Sequence, residues 1–142
     1  MPDRLRILLV EDNPADAHLV AQALGGDGRC AELHVARTGE EALAYLRPGP
    51  DGAAPRCDLI LLDLRIPGTD GREVLAEVRR DPALRRTPVV VLSTSSAERD
   101  VLDAYDLHAN AFVTKPLDLE AFLGAVGSVV RFFSAVATLP SR

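Results

Sequence analysis

A chain of 142 residues with 47% hydrophobic content and a net charge of −5 is the size of one domain and can bury a sizeable core. The acidic balance and the lack of a basic tract argue against direct nucleic-acid binding. No unbroken apolar run reaches the length of a membrane span, and the N-terminal run Ile7 to Val10 is too short for a signal peptide. A cytoplasmic protein with no membrane partner is therefore expected.

Arg6 to Val10 reads as a first strand, ending in Glu11-Asp12. Asn13-Pro14 then opens a helix, with Asn as N-cap and Pro at the first helical position. Ala15, Leu19 and Ala23 make one helical row, with Val20 and Leu24 beside it, and Gly25-Gly26 ends the helix. Leu33 to Ala36 is a second strand, polar enough to lie at an edge. Thr38-Gly39-Glu40-Glu41 fits a capping box ahead of Ala42 to Leu46. Arg47 to Arg56, with three Pro and two Gly, is a surface loop and not a domain boundary.

Leu59-Ile60-Leu61-Leu62 is continuously apolar, as for a strand buried on both faces, and runs straight into Asp63. Pro67 and Gly68 stop it. A helix begins at Asp70 or Gly71, with Val74, Leu75 and Val78 inward, and ends before Pro82. Val89 to Leu92 is a fourth strand ending in Ser93-Thr94-Ser95. A helix from about Ser96 to Asp106 follows, with Val101, Leu102 and Tyr105 on one side. Ala111 to Thr114 is a short fifth strand ending at Lys115-Pro116. Asp118 caps a last helix that runs to about Ala137.

Strict strand–helix alternation implies a parallel sheet with helices on both faces. With the three fully apolar strands in the centre, the expected fold is α/β: a flavodoxin-like, doubly wound (βα)5 sheet of order 2-1-3-4-5. Cys30 and Cys57 then start strands that are not neighbours, so they are expected to remain thiols.

This topology gathers Glu11, Asp12, Asp63, Ser93 and Lys115 along the carboxyl edge of the sheet, where ligands bind in open α/β folds. Crowded carboxylates repel one another, and a divalent cation such as Mg²⁺ relieves them through oxygen ligands. The cation would orient a phosphoryl donor, and a carboxylate can attack phosphorus. Lys115, the single Lys beside fifteen Arg, would hold a phosphoryl oxygen together with a hydroxyl.

Leu9-Val10-Glu11-Asp12-Asn13, Leu61 to Gly68 around Asp63, Val91-Leu92-Ser93 and Thr114-Lys115-Pro116 stand in the order and spacing of a response-regulator receiver domain. The chain resembles that family of two-component signalling over about residues 5 to 130. The resemblance implies one receiver domain over residues 1–142, with 131–142 extending the last helix. Asp63 would be the phosphoacceptor, and Asp12, Asp63 and the Arg65 carbonyl would bind Mg²⁺, with Glu11 acting through water. Ser93 would be the switch hydroxyl, Lys115 the phosphoryl partner and Phe112 the aromatic switch residue. The Lys115-Pro116 bond would be cis. Arg65 and Ser95 stand where receivers tune the phosphoryl lifetime.

Glu11 to Pro14, Asp70 to Leu75 and Leu92 to Ser95 further resemble stand-alone receivers that partner phytochrome-type sensor histidine kinases. Such a protein catalyses its own phosphotransfer and slow self-dephosphorylation, and otherwise is not an enzyme. It signals through contacts with a downstream protein or as a relay or phosphate sink.

In the last helix Leu119, Phe122, Leu123, Val126, Val130 and Phe133 form the stripe that meets the sheet. Ala125, Val129, Phe132 and Val136 form a second stripe, the expected face of a homodimer unless the tail covers it. An aspartyl phosphohydrolase would need an acid where Arg65 stands. A phosphate-independent binding module of the same fold would usually lack one of the acids or the Lys. A nucleotide or flavin carrier would need a Gly-rich phosphate loop after a strand.

Overall fold

The computed structural model describes residues 4–25, 31–52 and 55–140. Five strands alternate with five helices: β1 (Leu5–Val10), α1 (Pro14–Gly25), β2 (Ala31–Ala36), α2 (Gly39–Leu46), β3 (Leu59–Leu62), α3 (Gly71–Arg80), β4 (Val89–Ser93), α4 (Glu98–Asp106), β5 (Ala111–Thr114) and α5 (Leu119–Arg131). The strands pair in parallel in the order β2-β1-β3-β4-β5, as expected from the alternation and the apolar centre.

Successive residues of a strand point to opposite faces, so each apolar run feeds two cores. Leu8, Val10, Ile60, Leu62, Val89 and Val91 meet Leu43 and Leu46 of α2, Val74, Leu75 and Val78 of α3, and Ala104 of α4. Ile7, Leu9, Leu59, Leu61, Val90 and Leu92 meet Val20 and Leu24 of α1 and Phe122, Val126 and Val130 of α5. Because all five strands run parallel, their carboxyl ends lie at one pole of the molecule.

The caps are those that the side chains allow. Asn13 accepts from the Ala15 and Asp16 amides at 2.9 and 3.3 Å, Asp70 from Arg72 at 2.7 Å and Asp118 from Ala121 at 2.9 Å. Thr38 accepts from the Glu41 amide at 3.1 Å. The return half of the capping box is displaced by one residue, because the Glu41 carboxylate accepts from the Arg37 amide at 3.1 Å.

Two expectations are corrected. The Lys115-Pro116 bond is trans, since no described peptide bond is cis; Lys115 points inward because its own carboxylate partners hold it. The last α-helix stops at Arg131, and Phe132–Val136 continue as a π-helical turn closed by the Ala137 amide on the Phe132 carbonyl at 2.8 Å. In α4 the inward residues are Asp100 and Ala104, while Leu102 and Tyr105 are half exposed. By length and mean hydropathy the 18 residues Leu119–Val136 would suffice to cross a membrane. Glu120, Ser128 and Arg131 interrupt that segment, which hid it from a search for unbroken runs, and Phe122, Val126 and Val130 face the sheet.

Gly71 fixes how the third strand meets α3. A Cβ there would lie 2.6 Å from the Asp63 carbonyl oxygen and 2.6 Å from the Leu64 Cα. The two segments therefore touch backbone to backbone, with the Gly71 amide donating to the Leu64 carbonyl at 3.1 Å. Cys57 is buried and its thiol donates to the Leu59 carbonyl at 3.5 Å, while Cys30 and Gly26 lie outside the described residues.

Candidate functional site

Three backbone hydrogen bonds carry the sheet ladder one residue past its strands. The Glu11 amide donates to the Ala36 carbonyl at 2.9 Å, Asp63 to Val10 at 3.0 Å and Lys115 to Ser93 at 2.7 Å. Each bond sets a functional side chain at the carboxyl edge with the rigidity of the sheet behind it. Glu11 is 3% exposed, Ser93 1% and Asp63 9%. Asp12, by contrast, is exposed.

The Lys115 ammonium sits in the middle. It donates to Glu11, to Asp63 Oδ2 at 3.2 Å and to Asp16 Oδ2 at 2.9 Å. Burial works against its charge, but the Glu11 and Asp16 carboxylates outweigh burial and hold its pKa above the usual lysine range. Burial raises the Glu11 carboxyl to about 7; Lys115 opposes the rise and the Asp63 charge adds to it. One ammonium among four carboxylates leaves the pole strongly negative.

Ligand oxygens of Glu11, Asp12 and Asp63 lie within 4.8 Å of one another. Three hard oxygen donors at that spacing, one of them open to solvent, suit a divalent cation that keeps some of its water. Asp63 Oδ1 accepts from the Arg65 amide at 3.0 Å, which orients the carboxylate and places the Arg65 backbone beside it. Ser93 lies at the end of β4, where its hydroxyl oxygen accepts from the Ser95 amide at 3.2 Å. Phe112 is half-buried against the α2–α3 core, with its amide donating to the Tyr105 hydroxyl at 3.2 Å.

The expected Glu11, Asp12, Asp63, Ser93 and Lys115 thus meet at one pole, and Arg65 flanks them. Sequence reading missed Asp16, one helical turn beyond Asp12 and facing Lys115. It also missed Asp100, a buried acid of α4 that binds the Arg65 guanidinium at 3.0 Å. His34 is a packing residue, stacked on Tyr45 with ring centroids 3.9 Å apart.

The fold has counterparts among known proteins. The family model "response regulator receiver domain" matches residues 7–127. Response regulator Rcp1 of Synechocystis is 45% identical over 136 residues, covering 95% of this chain and 92% of that protein. The crystal structure of the phosphorylated cyanobacterial phytochrome response regulator RcpA superposes with a TM-score of 0.91 at 48% identity, covering 97% of this chain and 99% of the other. The Mn²⁺-bound form of Rcp1 superposes with a TM-score of 0.89 at 43% identity, covering 96% and 99%. Receivers are phosphoacceptors that bind a divalent metal and work with sensor histidine kinases, and this chain belongs to the response regulator receiver domain family.

Proposed function

We propose that the protein is a single-domain response regulator phosphorylated on Asp63 by a sensor histidine kinase of the phytochrome type. The observation that carries this reading is the buried Lys115 held between Glu11 and Asp63 at the carboxyl edge of the sheet. A carboxylate oxygen of Asp63 forms the bond to phosphorus, and the donor leaves with the electron pair of the bond it loses. Mg²⁺ held by Asp12, Asp63 and the Arg65 carbonyl, with Glu11 through water, would offset the charge of the arriving group. Lys115 takes one phosphoryl oxygen and the Ser93 hydroxyl another, and Phe112 turns inward as Ser93 shifts. Water later removes the group in a slow self-dephosphorylation. The similarity to cyanobacterial phytochrome response regulators supports the choice of kinase and a cytoplasmic location.

The test is intact mass after incubation with a small-molecule phosphodonor. Wild-type protein with Mg²⁺ gains one phosphoryl group, and chelator prevents the gain. A mass that never changes under either condition would sink the reading.

Signalling by contact needs a surface. Phe132 is 50% and Val136 69% exposed, beyond the stripe that packs on the sheet. Val129 is half-buried against that core, so it borders the open patch and does not lie at its centre. Leu139 of the tail also packs on the core, yet it leaves Phe132 and Val136 uncovered. This patch is the homodimer face of the reading. Phe132→Arg puts a charge into it and shifts a dimeric parent towards monomer in light scattering; an unchanged mass would remove this face from consideration.

A further inference from the structure

The β3–α3 loop and α4 share a charge network that the phosphotransfer reading leaves unused. Asp100 is 5% exposed, although it is an acid on a surface helix. Its two oxygens bind different arginines: Oδ2 takes Arg65 at 3.0 Å, and Oδ1 takes Arg72. A hydrogen bond from the Ser95 side chain, and then Arg65, hold its carboxyl below the usual range. Arg72 has further acids, Asp103 at 3.1 Å and Asp70 at 3.6 Å. Asp100 is the carboxylate that holds Arg65 among the described ion pairs, and the Arg65 side chain is 66% exposed.

Arg65 is two residues from Asp63, and its amide already bonds the Asp63 carboxylate. A long cation so placed can turn to either of two anions: the Asp100 carboxylate or a phosphoryl group on Asp63. We infer that Asp100 is a positioning residue that holds the Arg65 guanidinium away from the phosphoryl group and so keeps the path of the hydrolytic water open. The inference rests on phosphorylation at Asp63. In hydrolysis a water oxygen bonds to phosphorus and the bond to the Asp63 oxygen breaks. The carboxylate leaves with the electron pair; one water proton stays on the phosphate and the other passes to solvent. Without the Asp100 charge, Arg65 turns onto the phosphoryl oxygens, where its planar fork pairs with them and covers the face that water approaches. Arg72 keeps Asp103 and Asp70, so the change releases Arg65 selectively.

The experiment follows the decay of phosphorylated protein by intact mass after the phosphodonor is removed, with Mg²⁺ present throughout. Asp100→Asn slows the decay by about fivefold, the worth of one solvent-facing charge pair. Asp100→Glu, which keeps the charge, returns it towards wild type. Adding Asp100→Asn to an Arg65→Ala background changes the decay by less than about twofold, because no guanidinium remains to release. If circular dichroism shows the Asn variant unfolded, Asp100→Ser removes the carboxylate without adding bulk and serves in its place. Normal uptake with unchanged decay, or the same slowing in the Arg65→Ala background, overturns the inference alone. Wild-type protein that takes up no phosphoryl group overturns the inference and the reading of Asp63 together.

Discussion

Asp63→Asn will take up no phosphoryl group under conditions that load the wild type. An amide cannot supply the anionic oxygen that bonds to phosphorus, so the loss is all-or-none and not graded. Asp12 shares the metal cluster, yet the hydrogen bonds from Lys115 go to Glu11, Asp16 and Asp63. Asp58, just before the same strand, lies at the opposite pole and binds the Arg6 amide at 2.8 Å and Arg56 at 3.1 Å. Intact mass checks the outcome, and uptake by the variant at the wild-type level would move the acceptor elsewhere.

Lys115→Met will destabilise the fold by about 3 kcal/mol at pH 8, because it removes one partner of a buried ionic cluster. The Lys115 side chain is 4% exposed and Glu11 3%, so the charge left behind is poorly solvated. In a chain of this size that is a drop of about 10 °C in melting temperature. The loss depends on pH in a definite sense. Burial raises Glu11 from 4.5 to about 7, so the folded state binds a proton more readily than the unfolded chain. Stability associated with Glu11 is therefore full below pH 4.5 and is lost as pH rises through about 7. Lys115 opposes that rise, and without it the Glu11 carboxyl moves further up. The gap between wild type and variant consequently widens from pH 5 to pH 8. Thermal melts in chelator across that range test it, and a gap independent of pH would contradict the role assigned to Glu11.

The strands were legible because four of their sequences are apolar or nearly so, and a polar or charged residue marks the end of each. Parallel pairing then brings Glu11, Asp63, Ser93 and Lys115 to one edge without any knowledge of helix packing. What stayed hidden depends on the rotation of helices about their axes. Asp16 joins Lys115 because α1 turns that face towards the sheet edge. In α4 the apolar residues Val101, Leu102 and Tyr105 stand on one side, but the buried residues are Ala104 and Asp100, which Arg65 and Arg72 bind. An acid can displace a Leu from the inner face only when cations from other elements meet it, and those elements are distant in sequence. The same holds for the Tyr105 hydroxyl, whose bond to the Phe112 amide closes part of the outer edge of β5.

The burial of Lys115 has a practical consequence for chemistry carried out on the intact protein. It is the chain's single lysine, and its amine is charged, enclosed and shared among three acids. An amine-directed reagent needs the neutral amine and room to approach, and the folded molecule offers neither at this side chain. No other side chain of the printed sequence carries a primary amine, so an amine-directed reagent leaves the folded site untouched.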